Sequence, residues 1–595
     1  MSFNKYYQDE LSFLREMGRE FADENPKLAP FLSEGGSDPD VERLFEGFAF
    51  INGRLRQKLD DEFPELTHSL IQLLWPHYLR PVPALSILQF EPIQSTLSEK
   101  RCIPSAVQVD SRPVDGTICH FQTCYEVDLY PITLESVALT QTAPDAVLRV
   151  ELSLHPGASV EQMGLDSLRL HLRGGQDAYI GRALYLWMFR YLKRVTVKMV
   201  DEVGKEELFF LAPDEVKPVG FGEDEGLFPY ADNAFVGYRL LQEYFTLPEK
   251  FLFIDVQGLE KLSSCPQLDR FELNFEFSRA WEERARLSAE NIALFCTPIV
   301  NLFQQNGDPL RLDHRQVEYR IRPKGGQRAA LDIHSINAVA GWVQGSSRKK
   351  EYPPFESFHH EFDRVDGELP VYYKTHLRPA VVGRGVDHSL SFVSGAGVGV
   401  VPQIETISME LTCTNGELAG KLRAGEISEA TASSPEFARF RNLTAAVPAL
   451  LPPIEEGIHW QLISNMSLHY HSLQSVDALK TLLSAYDFRP YYDRQAERLS
   501  RLRLEGIEAV QSTPTDRLFK GVPVRGLCTE LKLRESKFGA EGVAGESEMY
   551  LFATVLNEFL SLYSTINSYH ELEVKGLDGG EVYRWRGKIG KQPLL

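Results

Sequence analysis

Cys119 and Cys124 frame CHFQTC, two thiols separated by four residues with His120 beside the first. Thiolate and imidazole at that spacing are zinc-ligand chemistry, but a structural zinc site takes four ligands, commonly as two pairs, and no matching second pair lies nearby. Apolar alternation from Phe121 to Tyr130 reads instead as a strand, in which a free cysteine is a small buried hydrophobe. FHHEF (Phe358 to Phe362) sets His359 and His360 against Glu361. Neighbouring strand residues point to opposite sides and a helical metal pair needs histidines at i and i+4, so this segment reads as surface. GAGVGV (Gly395 to Val400) has glycine at every second position and is followed by Val401-Pro402, where a nucleotide-binding helix would have to start. The chain carries no Walker A motif, no G-x-S-x-G elbow and no H-E-x-x-H. Arg494, Arg498, Arg501 and Arg503 form the most basic cluster, offset by Glu497, Glu505 and Glu508, which reads as a solvated helix face. The sequence therefore predicts no catalytic, cofactor-binding or metal-binding residues. The competing reading is a large cytoplasmic metal-dependent enzyme built on Cys119, His120, Cys124 or the His359/His360 pair.

The elements that would carry any such chemistry change character along the chain. In the first 82 residues Phe3, Tyr7, Leu11, Leu14, Gly18 and Phe21 recur at helical spacing, and Asn25-Pro26 ends that run. Ser37-Asp38-Pro39-Asp40 opens a second helix whose apolar positions are Val41, Leu44, Phe45, Phe48, Ile51, Leu55 and Leu59. Pro64 opens a third, carrying Leu66, Leu70, Leu73 and Leu74, before Pro76, Pro81 and Pro83. Such stripes serve a bundle within the chain or packing against another subunit equally well.

Beyond residue 84 the apolar period becomes two. Leu148, Val150, Leu152 and Leu154 alternate with polar residues, as do Leu168, Leu170 and Leu172, which predicts antiparallel sheets with one buried face. A helix is expected from about Asp177 to Arg194, then a strand with Val195, Val197 and Met199. FLFIDV (Phe251 to Val256) and FELNFEF (Phe271 to Phe277) read as further strands. Residues 300–455, rich in Gly, Ser and Pro, suggest short strands and long connections. In the last 140 residues helices are expected near Ser475 to Tyr486 and over Tyr550 to Asn567, the latter with Phe552, Leu556, Phe559, Tyr563 and Ile566 on one face. The expected fold is a multidomain α+β protein: N-terminal amphipathic helices (1–83), a mixed β-rich domain (84–290) and a β-rich domain with long loops (291–455). A mixed α/β C-terminal domain (456–595) completes it.

Composition narrows the class. The 595 residues carry 63 Lys+Arg against 83 Asp+Glu, a formal charge of −20, which repels phosphate backbones and anionic headgroups and argues against general nucleic-acid or membrane-surface binding. Seven cysteines in so long a chain do not form a disulfide framework. The opening MSFNKYYQDELSFLREMG lacks an apolar signal region and no stretch reaches the length of a membrane span, so a cytoplasmic chain is expected. The 35 Phe and 23 Tyr favour large cores or extensive partner interfaces.

Several segments together are more telling. DPDVERLFEGFAFINGRLRQKLDDEFPELT (Asp38 to Thr67) and WPHYLRPVPA (Trp75 to Ala84) resemble the N-terminal signature of the TssF family (ImpG/VasA) of type VI secretion baseplate subunits. GYRLLQEYFTLPEKFLFIDV (Gly237 to Val256), CTPIVNLF (Cys296 to Phe303), LTCTNGEL (Leu411 to Leu418), WQLISNMSLHYHSL (Trp460 to Leu473) and YLFATVLNEFLSLYSTINSY (Tyr550 to Tyr569) follow in the family's order. Residues 380–400 match no family pattern. The resemblance implies a non-catalytic wedge subunit without cofactors, in a platform from which a contractile sheath is built and fired. Its implied partners are TssG, with two TssF per TssG, TssK, a second TssF copy, and TssE and the VgrG hub. The implied place is the cytoplasm, at an inner-membrane-associated secretion complex, with no membrane insertion of its own. Family helices pack into a shared bundle, which makes Phe3, Leu14, Phe21, Val41, Leu44, Phe48 and Leu55 the expected interface residues and 456–595 the expected region of contact between two TssF copies.

Overall fold

Proline sets the starts of the N-terminal helices. Pro39 and Pro64 are the first residues of α2 (Pro39–Asp60) and α3 (Pro64–Leu74), positions where a missing N–H costs nothing. In the computed structural model the described residues are 2–24, 39–60, 64–94, 96–142, 144–175, 177–230, 235–281, 286–313, 315–325, 330–343, 349–357, 371–380, 385–394, 404–454, 462, 475–519, 522–564 and 568–590. α1 (Ser2–Glu24) packs along α2. Among the described side chains of this pair only Leu11, Ala49 and Gly53 are buried, and two small residues four apart on α2 let the helices approach closely. α3 runs into a 3-10 turn, Pro76–Leu79, that leads the chain into its first sheet.

Alternation then builds the sheets. The first is six-stranded and antiparallel, in the order Ile427–Ala430, Gln108–Ser111, His120–Thr123, Cys296–Val300, Leu85–Pro92, Ala438–Asn442. It joins strands from three distant stretches of sequence, on both sides of residue 290. The second, of five antiparallel strands, has Leu192–Asp201 and Leu268–Phe277 at its centre and Asp145–Leu154 next to them. Its inward face is the one the alternation predicts: Leu148, Val150, Leu152, Val195, Val197, Phe271, Leu273, Phe275 and Phe277 are completely buried. A four-stranded antiparallel sheet centres on Phe253–Gln257 and Ser167–Leu172.

The described strands between residues 303 and 414 form two further antiparallel sheets around a core of their own that includes Leu312, Tyr319, Val339, Tyr352, Leu390 and Ile407. Strands here are longer than Gly- and Pro-rich composition suggests: Asp332–Val343 has 12 residues and Glu405–Thr414 has 10. The longest paired strands bring many cross-strand neighbours together, which offsets the weak local propensity.

The C-terminal sheet runs Ile507–Phe519, Val522–Leu533, Ser568–Gly576, Val582–Ile589, and its two middle strands are parallel. A parallel pair needs a crossover, here made by α8, the last of the longer helices among the described residues: α4 (Tyr179–Leu186), α5 (Val236–Thr246), α6 (Val476–Tyr486), α7 (Arg494–Glu505) and α8 (Val543–Leu562). A single apolar core extends from Ile71 to Tyr583 and includes residues of α3, α4, α5, α6 and α8.

Three expectations are corrected in detail. The helix expected over Asp177 to Arg194 is α4 followed by a π-helical turn, Trp187–Tyr191, after which the strand begins at Leu192. Phe251 lies in the 3-10 turn Pro248–Phe251, not on the strand with Phe253, although both rings are fully buried. α8 begins at Val543, ends at Leu562, and is buried nearly all round rather than on one face, because it is enclosed between α4, α5 and the C-terminal sheet.

Candidate assembly surface and the joints that hold it

His120 opens the strand His120–Thr123, whereas Cys119 and Cys124 lie one residue outside its two ends and not on it, a correction to the strand expected for them. Cys119 is fully buried, and burial pushes its thiol up to about 11; burial raises the Cys124 thiol still further. A reactive or metal-binding cysteine needs the reverse, a lowered pKa. His120 Nδ1 lies 2.7 Å from Asp110 Oδ1 on the neighbouring strand. Among the described residues no three His, Cys, Asp or Glu side chains are grouped to hold a metal ion. FHHEF and GAGVGV lie outside the described residues. Among them, too, no helix is long and apolar enough to cross a membrane.

Buried polar chemistry is spent instead on joints between segments. In GYRLLQEYFTLPEKFLFIDV, Pro248 stops α5 and folds the chain back so that Lys250 reaches Glu243, seven residues earlier. Both side chains are fully buried, and Glu243 also accepts from the Leu227 N–H at 2.7 Å. Burial pushes the Lys250 ammonium below its ordinary value, against the pull of Glu243. Arg239, one turn before Glu243, donates to the carbonyls of Gly222 at 2.6 Å and Glu223 at 2.8 Å. Arg169 grips Asp255 on the next strand with two bonds of 2.7 and 2.8 Å.

A second joint gathers at the start of α8. Glu548 accepts from the Tyr244 hydroxyl at 3.0 Å and pairs with Arg182 Nε at 2.8 Å and Arg503 at 3.0 Å. Glu546 accepts from Arg279 at 2.8 Å and from the hydroxyls of Tyr583 at 2.8 Å and Tyr191 at 3.1 Å. The arginine cluster on α7 is thus not uniformly solvated: Arg503 is turned inward with 15% of its side chain exposed. No spacing in the sequence distinguishes it from its neighbours.

Aromatic rings dock the N-terminal turn onto this body. Tyr238 of α5 stacks on Tyr486 of α6, centroids 4.9 Å apart, and meets Trp75 edge-on at 5.6 Å. Tyr78 meets Phe488 at 5.2 Å, and the Tyr230 hydroxyl lies 2.8 Å from His77 Nε2. WPHYLRPVPA is thereby an anchor that fixes where α3 leaves the body.

Beyond that anchor, large apolar side chains face outward. On α1 Phe13 is 56% exposed and Phe21 50%; on α2 Leu44 is 60% and Phe48 56% exposed, with Ile51 beside them. Leu14 is half-buried. Phe3, Val41 and Leu55 occupy positions on α1 and α2, and their side chains lie outside the described ones. Ala49 and Gly53 take the buried side of α2, so Leu44, Phe48 and Ile51, on an adjoining side of the helix, do not meet α1 as core.

A chain whose buried charges brace one sheet against another, while its terminal helices hold leucine and phenylalanine toward solvent, is built as a structural component. The protein-family model described as "Type VI secretion system, TssF" matches residues 1–592, and the chain belongs to that family. It is 30% identical to the Pseudomonas aeruginosa "Type VI secretion system component TssF1", covering 99% of each chain. It resembles a chain of the type VI secretion system TssK-TssF-TssG baseplate subcomplex with a TM-score of 0.74 and 32% identity, over 93% of this chain and 99% of that one. A chain of "The baseplate complex from the type VI secretion system" matches with a TM-score of 0.65 and 29% identity over the full length of both.

Proposed function

We propose that this chain is a structural subunit of the type VI secretion baseplate wedge, assembling with TssG and TssK into the platform on which the contractile sheath is built. The observation that carries this reading is the likeness, over 93% of this chain and 99% of that one, to a chain solved within a TssK-TssF-TssG subcomplex. The chain acts through interfaces, without bond chemistry. Two copies join one TssG, α1 and α2 contribute Phe3, Leu14, Phe21, Val41, Leu44, Phe48 and Leu55 to a bundle shared with TssG, and segment 456–595 meets the second copy. TssE and the VgrG hub adjoin the wedge in the complete baseplate, which docks on the inner-membrane secretion complex. Firing then rearranges interfaces between rigid bodies.

Co-expression with the TssG and TssK chains of the same system, followed by native mass measurement, tests this directly. The expected species contains two copies of this chain per TssG. A chain that stays monomeric and co-purifies with neither partner ends the proposal.

A further inference from the structure

The fold divides the arginines of α7. Arg503 turns inward to Glu548, whereas Arg494, Arg498 and Arg501 are exposed at steps of four and three, which sets them on one stripe about 10 Å long. Among the described residues none of these three side chains has an ion-pair or hydrogen-bond partner. Glu505, next along the stripe, is held by Lys537 at 3.0 Å, and Lys480 of α6 lies near the same carboxylate. Glu497 at the margin offsets one of the three positive charges, so the stripe stays cationic. Leu499 on the helix and Tyr492 just before it remain 54% and 46% exposed, and arginine and tyrosine are residues that interfaces favour.

A surface of opposite sign lies elsewhere on the chain. A cavity of about 390 Å³, bordered by the strand Ser167–Leu172 and the segment 124–130, is lined by Glu126, Asp128, Asp224, Glu225, Asp255 and Arg169. Arg169 is taken by Asp255 and Glu225, and Lys100 takes Asp128 at 2.7 Å. Glu126 and Asp224 are exposed, and among the described residues neither has a cation. Tyr125, 4% exposed, shares the lining, and its hydroxyl has no hydrogen-bond partner. A guanidinium supplies what this lining lacks, a permanent positive charge with several N–H donors.

At −20 two copies repel each other at long range, so they meet where opposite charges face. We propose that the α7 stripe of one copy docks on the acidic cavity of a second copy, with Arg494, Arg498 and Arg501 facing Glu126 and Asp224. This rests on the reading that segment 456–595 meets a second copy, and it names what that segment meets. Stripe and cavity are different patches, so the contact is head-to-tail and extends into a closed ring or an open chain. A nucleic acid offers phosphates to the same stripe but is repelled by the rest of the chain.

Sedimentation velocity of the full chain tests this. The weight-average sedimentation coefficient should rise with protein concentration at about 50 mM salt and return to the monomer value at about 500 mM, where exposed charges are screened. Association that persists at high salt belongs to apolar surfaces and, if it is all that is seen, overturns the proposal. Arg498→Glu with Arg501→Glu should abolish the rise, and so should Glu126→Arg with Asp224→Arg. All four side chains are exposed, and circular dichroism checks that both variants fold. Mixed in equal amounts, the two variants should associate again, because each acidic stripe then faces a basic cavity and each basic stripe an acidic one. The proposal is overturned if the parent shows no rise at low salt, if either folded variant associates like the parent, or if the mixture stays monomeric. Retention of duplex DNA that the arginine variant loses, without self-association, overturns it in favour of a nucleic acid. TssG binding is read in parallel: kept while self-association is missing, it ends this contact and leaves the wedge reading standing, whereas loss of both ends the wedge reading as well.

Discussion

Arg503 of α7 and Glu548 of α8 are ion-paired at 3.0 Å with 15% and 8% of their side chains exposed. The same carboxylate takes Arg182 of α4 and Tyr244 of α5, so one side chain ties together four helices from distant parts of the sequence. Its removal should be felt as separation of the middle of the chain from its C-terminal sheet.

Glu548→Gln keeps the shape but leaves two arginines short of a counter-charge. A loss of about 3–5 kcal/mol is expected, as for other broken buried pairs. Urea denaturation followed by tryptophan fluorescence checks this, and a midpoint unchanged from the parent would mean that solvent already screens the cluster.

Lys250→Met leaves the Glu243 carboxylate buried with Arg239 as its remaining cation, 3.9 Å away. The single change should cost several kcal/mol, whereas Lys250→Met with Glu243→Gln should recover much of that loss, because no uncompensated charge remains. A double variant no more stable than the single one would refute the coupling.

Acidification should destabilise the fold well before most carboxylates titrate. Burial lowers His77, His171 and His334 to about 3 and His388 and His570 to about 4, against an ordinary value of 6.5. The folded values are depressed, so the unfolded chain binds the extra protons. Stability from these rings is fully present above pH 6.5 and is lost as pH falls toward 4 and 3, at about 1.4 kcal/mol per pH unit for each ring. Asp332, raised to about 6 by burial first and Glu417 second, works in the opposite sense as a single group. Denaturation midpoints at pH 7.5 and 5.5 should differ in the stated direction, and His570→Gln should reduce the difference.

Leu44→Glu with Phe48→Glu should leave the isolated chain folded, because both side chains are more than half exposed and surface changes typically fall within about 0.5 kcal/mol. Co-purification with TssG should be lost. Circular dichroism and pull-down read the two effects separately; a variant that folds and still binds TssG normally would remove these residues from the interface.

Much of the local structure could be read from residue spacing. Pro39 and Pro64 marked helix starts, and the alternation at Leu148 to Leu152 and Phe271 to Phe277 gave both strands and their buried faces. Those signals are carried by near neighbours. The Glu243–Lys250 pair was hidden because Pro248 signals only a helix end, and the spacing of seven becomes contact only after the chain turns back. Arg503 was hidden because Arg494, Arg498 and Arg501 share its local composition.

By itself, then, the sequence determined the α+β character, the family to which seven ordered blocks point, and the apolar spacing of the N-terminal helices. Tertiary structure alone decided that strands Leu85–Pro92, Cys296–Val300 and Ala438–Asn442 share a sheet, and that Ala49 and Gly53 form the closed side of α2 while Leu44 and Phe48 stay outside. It also decided that Arg503, alone of its cluster, turns inward to Glu548. The physical reason is common to all three. Spacing fixes which side chains share a face, but which face is withdrawn from water, and which charge finds a partner there, depends on segments hundreds of residues away.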